Sequence, residues 1–516
     1  MAVEKLNNVV FRILFIFFII LALPNRLTWY QNLIHIDCTN LHYRDLYDIA
    51  RFESGVTLFG NQLFGSSFFG YATWLITFMI AIVLGLIWTF IDSKNSAEPR
   101  EYRKLSYWLR VIVRYRAGIG IIGFGFTKLL PVQMPYPSLG LLNTDFGDFT
   151  AQKIYWLSIG IVPWYQVFAG VVEIFGGILL FFRKTTLWGA VILFAALGDI
   201  VYVNIAYDGG VHGYSSYFVL LCGFLIYPYL RPLYDLLIKN QPAKLNFYYP
   251  DLSKKWIKYT RAGLKSAVFL VFLFLLFYLQ YINFRYDPYK QPSSAGIKEL
   301  RGNYTVTEFR LNNKILPYHP SDTIRWQEVT FEKWTTLTYK VNKPVAIDLS
   351  NGGGSPQRDI NRSFEITGTA GGRKAFHYYA DTIENVLYLQ DKYRKAPARR
   401  NEAAGNFKKS AAKYQCEINL KGKAKKEWIS DQAWKNIGNE LYFIDHHASS
   451  ARRNHAFVKE PVGENRQKMI LNYSTNNGSR VILSGINAHK DSIYVILDKV
   501  DRKYALSEST LEAGKY

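Results

Sequence analysis

Long apolar runs alternate with short polar connections through roughly the first 285 residues; short, turn-punctuated segments follow. The runs cover Val9–Leu23, Tyr71–Asp92, Tyr107–Leu129, Tyr155–Phe182, Leu187–Ala206, Tyr214–Tyr229 and Ser266–Phe284. At 1.5 Å rise per residue such runs reach across or nearly across a bilayer, and they predict seven membrane-spanning helices. The first run, VVFRILFIFFIILAL, has signal-peptide length, but no small-residue cleavage site follows it, so it reads as an anchor.

Basic residues orient these spans. DSKNSAEPREYRK follows the second, RKTT follows the fourth, and Lys239, Lys244, Lys254, Lys255, Lys258, Arg261 and Lys265 follow the sixth. All three connections fall on one side of a seven-span arrangement, which the positive-inside rule makes cytoplasmic. The N-terminus is then cytoplasmic, and everything after Phe284 lies outside. Two outer connections are long. Asn25–Gly70 contains LHYRDLYDIARF, which predicts a surface helix, and Pro131–Lys153 begins PVQMPYPSLGLL, whose prolines exclude a continuous helix.

Beyond Arg285, YTVTEFRL, TIRWQEVTFEKW, TTLTYKV, SFEITG, KMILNYS, RVILSG and DSIYVILDKV read as strands. NGGGS and NNGS supply turns between some of them. The pattern predicts a mainly-β domain over 286–516, a barrel or a sandwich, with a partly helical insertion near 394–464. The remaining divisions are two N-terminal helices with an outer loop (1–106), a four-helix unit (107–236), and a linker with the seventh helix (237–285).

A formal charge of +22 raises nucleic-acid binding, but much of the basic excess in the first half flanks apolar runs, where anionic lipid headgroups account for it. No zinc-finger or RNA-binding signature is present, so nucleic acid is not an expected partner. The bilayer is, together with proteins in the membrane or periplasm. Cys38, Cys222 and Cys416 form no CxxC pair. Cys222 reads as a buried small hydrophobe, and a disulfide between Cys38 and Cys416 stays open.

Polar residues inside the spans are the candidate functional cluster: Arg116, Glu173, Gln166, Asp199, Asn204 and Lys128. Counted from the cytoplasmic ends of antiparallel helices, Arg116 and Glu173 both lie roughly 14 Å deep and are expected to pair. Arg116, Gly120, Gly123 and Thr127 form one stripe; Gln166, Gly170, Glu173 and Gly177 form its expected counterpart. Lys128 is placed to reach a headgroup or Asp199. The ladder reads either as a ligand or proton path or as a structural network.

RYRAGIGIIGFGFTKLL, followed by VFAGVVEIFGGILL, resembles the four-helix unit of the DoxX family of small bacterial membrane proteins. Arg116, Lys128 and Glu173 carry the resemblance, which covers about Tyr107–Leu236. The whole chain resembles longer DoxX-like proteins of Bacteroidota-type bacteria, which join such a bundle to a β-rich tail. The resemblance implies a cytoplasmic-membrane protein and, for some members, a link to quinone-coupled sulfur oxidation or redox stress.

The residues themselves supply no protein-bound electron carrier: the spans hold no histidine except His212 at an edge, and GIGIIGFG lies inside a span. Quinone is the cofactor left open. In the outer domain, LRGNYTVTEFRLNN resembles the G-x-Y or G-x-W start of lipocalin-like barrels. FIDHHASSARRNH gathers Asp445, His446, His447 and His455, but exposed HH pairs are usually solvated, so no metal site is expected. No GxSxG elbow marks a hydrolase. The reading that follows is a largely non-enzymatic membrane anchor or assembly module whose periplasmic β domain binds a partner or a lipid-like ligand. Its alternative is a quinone-linked subunit of a membrane oxidoreductase complex.

Overall fold

A computed structural model of the protein describes residues 2–52, 55–56, 69–95, 102–242, 247–345, 347–353, 358–392, 444–453 and 466–516. The chain forms two compact units. The first comprises Met1–Ile36, Tyr43–Leu129 and Phe168–Tyr278; the second comprises Asp37–His42, Leu130–Val167 and Leu279–Tyr516. Two segments expected only as outer connections therefore fold in part with the β domain.

The helical unit begins with α1 (Ala2–Ala22), α2 (Leu27–Ile34), α3 (Tyr43–Ala50), α4 (Phe69–Asn95) and α5 (Arg103–Leu129). After α6 (Leu139–Leu142) and α7 (Ala151–Gly160), which belong to the second unit, come α8 (Pro163–Leu180), α9 (Thr186–Ala206) and α10 (His212–Leu237). The last apolar stretch is α11 (Lys255–Phe269), a π-helical turn over Leu270–Leu275, and α12 (Leu276–Tyr286).

Among the described residues, five helices are long and apolar enough to cross a membrane. The number is six if the pair Asn8–Ala22 and Leu27–Ile34, bent by 41°, is one span. The third expected span, α5, is not among them: it has the length, at 27 residues, but carries Arg110, Arg114 and Arg116. It tolerates them by packing among its neighbours: Val113, Ala117 and Ile122 are fully buried. The fourth expected span, Tyr155–Phe182, is broken. Pro163, favoured as the first helical residue, starts α8, while α7 ends at Gly160.

The second unit is built on nine strands: β1 (Gly302–Leu311), β2 (Lys314–Ile315), β3 (Glu328–Phe331), β4 (Thr336–Lys340), β5 (Arg373–Asp381), β6 (Val386–Asp391), β7 (Lys468–Asn476), β8 (Arg480–Ile486) and β9 (Ser492–Val500). Every neighbouring pair is antiparallel, and β9 returns to β1, so eight strands close a barrel while β2 is a short hairpin strand on β1. Asn312–Asn313 and Asn477–Gly478, all at positive φ, make the tight turns after β1 and β7. Phe309, Trp326, Tyr339, Phe376, Leu387, Leu471, Leu483 and Val495 fill the interior, as an eight-stranded barrel permits. Trp326 stacks on Tyr339 at 4.0 Å.

Three departures from the strand expectations have physical causes. SFEITG, at 363–368, forms turns rather than a strand: Ile366 N–H bonds to Ser363 O, and Phe364 and Glu365 are buried outside the barrel wall. TIRWQEVTFEKW contributes only its β3 portion. Conversely, β5 and β6 lie at positions where no strand is expected. Lys374 aside, β5 is buried on both faces from Arg373 to Tyr379, which removes the two-residue alternation. The helical insertion expected near 394–464 falls almost wholly outside the described residues, as do Cys416 and His455.

Candidate functional site

In the helical unit the expected Arg116–Glu173 pair does not form. Glu173 on α8 instead pairs with Lys128, at the C-terminal end of α5, and both side chains are buried. Glycines set the register responsible. A Cβ on Gly118 would lie 3.0 Å from Gly177 O, and one on Gly125 would lie 3.0 Å from Gly170 O. Glu173 is thus level with Ile122–Gly125, within reach of the long Lys128 side chain, whereas Arg116 is level with the end of α8. The depth count fails because the cytoplasmic ends of the two helices are not level: Gly118 meets Gly177, so the first part of α5 extends past the end of α8. Of the two stripes, Gly170 and Gly177 do face α5, but Gly120 and Gly123 face Phe218 and Tyr47.

Arg116 has other partners. Its Nε donates to Tyr217 Oη at 3.1 Å, Nη1 to Ala50 O at 2.8 Å and Nη2 to Phe52 O at 3.0 Å. Ala50 closes α3, so the guanidinium meets the negative end of that helix. Tyr217 Oη then donates to Leu21 O at 2.6 Å, which ties α1 to the same point. Arg116 is a structural clasp.

The ladder also dissolves elsewhere. Gln166 belongs to the second unit, where its Oε1 accepts from Met134 N and its Nε2 donates to Met134 O, at 3.0 Å each. Asn204 donates to Ile200 O in its own helix, and Asp199 is exposed. An unanticipated pair occurs instead: Arg12 on α1 donates to Asp92 Oδ2 on α4 at 2.5 Å, with Tyr102 Oη and Thr89 Oγ1 completing its shell. The charged Arg12 within an apolar run was the available signal.

A second polar cluster lies on the outer wall of the barrel. Asp359 accepts from Ser293 N and Ser294 N at 3.0 Å each and from Ser294 Oγ at 2.9 Å. Burial alone would raise its pKa, but Arg362 and Arg453 hold the carboxyl well below the usual range. Both arginines also reach Asp287. Glu365 accepts from Trp334 Nε1 at 2.6 Å and from Lys392 Nζ at 2.9 Å. His377, with Nδ1 3.1 Å from Thr335 Oγ1, is pushed down to about 3 by burial and is neutral at pH 7. Each charge has an opposite charge or a hydrogen bond, as burial demands.

This cluster positions a strap. Ser293–Ser294, fixed on Asp359, lead into Ala295–Glu299, which runs past the turn before β4: Gly296 N donates to Lys333 O at 2.9 Å, and Thr335 N to Ser294 O at 3.2 Å. Ile297 N then donates to Tyr378 Oη at 3.1 Å. Gly296 is required by close approach, because a Cβ there would sit 2.7 Å from Tyr378 Oη and 2.8 Å from Trp334 O. Between the strap and the ends of β5, β6 and β7 lies a cavity of about 950 Å³. Ile297, Tyr378, Ala380 and Tyr473 give it apolar surface, while Thr382, Asn385, Ser474 and Thr475 offer polar groups. Lys298 and Glu299 stand exposed on its rim. The Tyr473 hydroxyl makes no hydrogen bond among the described residues, so it can serve a bound molecule. No linear motif announces this site, because barrel closure gathers residues from 294 to 475.

No family model matches this chain, and no solved structure matches it. It is similar to the uncharacterized protein YwoB of Bacillus subtilis (strain 168), with 32% identity over 92 residues. The match takes in 16% of this chain and 60% of that protein's length, so the similarity is confined to a short stretch of the sequence.

Proposed function

We propose that the protein is a multi-pass component of the bacterial cytoplasmic membrane whose barrel, on the periplasmic side, binds an amphipathic ligand at its mouth. The cavity between the 294–299 strap and the ends of β5–β7 carries this reading. Its volume suits a small ligand, and tyrosine rings with nearby Thr, Asn and Ser side chains combine apolar contact with orienting hydrogen bonds. The filled barrel interior leaves no channel for an acyl chain to thread, so the ligand lies across the mouth with its polar group towards Lys298 and Glu299. The helical unit serves as anchor: its buried ions are paired or capped. Sidedness rests on the basic connections, and the DoxX resemblance of Tyr107–Leu236 agrees with a cytoplasmic-membrane location.

A second reading, a quinone-linked subunit, leans on one observation. Glu173 Oε2 is buried without a hydrogen bond among the described residues, an acceptor that a quinol hydroxyl or a proton could engage. Thermal stabilisation of the purified protein by lysophospholipids, menaquinone and short glycans separates the readings. Mouth binding predicts a response that Ala380→Trp removes, whereas a quinone site in the helices predicts a menaquinone response that Ala380→Trp leaves and Glu173→Gln alters. No response to any class contradicts both.

A further inference from the structure

We propose that Asp445, His446 and His447 form a binding site for a borderline divalent transition-metal cation, with zinc(II) as the reference ion. The sequence alone makes these residues an ordinary solvated histidine pair. Folding does something more specific: it turns one donor atom of each residue towards a common point. Those three atoms lie within 4.8 Å of one another. Asp445 Oδ1 stands 3.5 Å from His446 Nδ1 and 2.7 Å from His447 Nδ1. Bonds of about 2.05 Å at tetrahedral angles separate donors by about 3.3 Å, so small rotations complete the geometry.

The arrangement is held from outside. Asp445 caps the short 3-10 helix His446–Ala448, its Oδ1 accepting from His447 N at 3.0 Å. Tyr286 stacks on the His447 ring at 4.6 Å and 15°. The two imidazole centroids are 3.8 Å apart, and Ala448, directly after them, is buried. Downstream, Ala451 N bonds to Asn40 O. His446 remains largely exposed, which leaves one side open for water or a further donor.

The donor set selects the ion. Two imidazoles and one carboxylate suit zinc, nickel or copper and disfavour magnesium and calcium, which take oxygen ligands. Three protein ligands with an open position describe a site that can hold water or a partner's side chain rather than a closed structural site.

The experiment uses untagged, full-length, chelator-stripped protein in detergent, titrated with cobalt(II) and followed by its visible absorption, with zinc(II) as competitor. One saturable site per chain is expected, displaced by zinc and unaffected by excess magnesium. His446→Ala, whose side chain is exposed and can be removed without disturbing the core, should weaken binding tenfold or more. Asp445→Asn with His447→Ala should abolish it while a thermal unfolding transition in chelator shows that the protein is still folded. Absence of a saturable site in the wild type overturns the proposal, and so does unchanged affinity in the Asp445→Asn, His447→Ala double variant.

Discussion

Lys128 and Glu173 form a buried ion pair between α5 and α8, at a level set by the glycines through which the two helices touch. Removing one partner strands the other charge. Lys128→Met alone or Glu173→Gln alone should therefore destabilise the helical unit by roughly 3–5 kcal/mol. Lys128→Met combined with Glu173→Leu should recover most of that loss, because a matched apolar pair replaces the ions. Thermal unfolding in detergent checks this, and equal destabilisation in single and double variants would contradict the pairing. Arg116→Met with Glu173→Leu, by contrast, should not recover stability.

The glycines that set this register give a second expectation. A Cβ at Gly170 would sit 2.4 Å from Leu129 N and 2.6 Å from Gly125 O, both backbone atoms that cannot rotate away. Gly170→Ala should force α5 and α8 apart and cost about 1–3 kcal/mol. Gly198→Ala, on α9, meets nothing within 4 Å and should be neutral or slightly stabilising. Comparing the two variants' melting temperatures separates close packing from a general effect of glycine replacement.

The outer wall of the barrel should lose stability in acid. His377 is depressed by burial from 6.5 to about 3, so between those values the unfolded chain binds a proton that the folded chain refuses. Stability from this group is present above pH 6.5 and declines as pH falls towards 3. Asp359, also depressed, adds a further loss below its ordinary value of 3.8. Glu332 runs the other way: burial raises it from 4.5 to about 7, so its contribution is full below 4.5 and is lost as pH rises through 7. Urea unfolding across this range should show a shallower acid decline for His377→Gln than for the wild type. An unchanged slope would contradict the assignment.

Much of the architecture was legible because it depends on composition over long stretches. The division near 285, most of the apolar helices, the β-rich tail and the NNGS turn at 476–479 all follow from periodicity and turn chemistry. Intramembrane partners were less legible, because depth counted from the ends of apolar runs takes those ends as level, whereas α5 overhangs the end of α8. That overhang moves Glu173 from Arg116 to Lys128. SFEITG misled because β-branched and aromatic residues fill any buried position, strand or not, and β5 was hidden because both of its faces are covered. The mouth could not be read at all: Ile297, Tyr378 and Tyr473 meet only once the barrel closes.

The central claim is that the barrel mouth is a binding site, and ligand-dependent stabilisation of three proteins tests it most directly. The wild type should gain thermal stability with at least one amphipathic class. Tyr473→Phe, which removes a hydroxyl facing the cavity, should weaken the response. Ala380→Trp, which fills the cavity, should abolish it without lowering the melting temperature of the unliganded protein by more than a few degrees. A wild-type response that Ala380→Trp leaves intact would contradict the account.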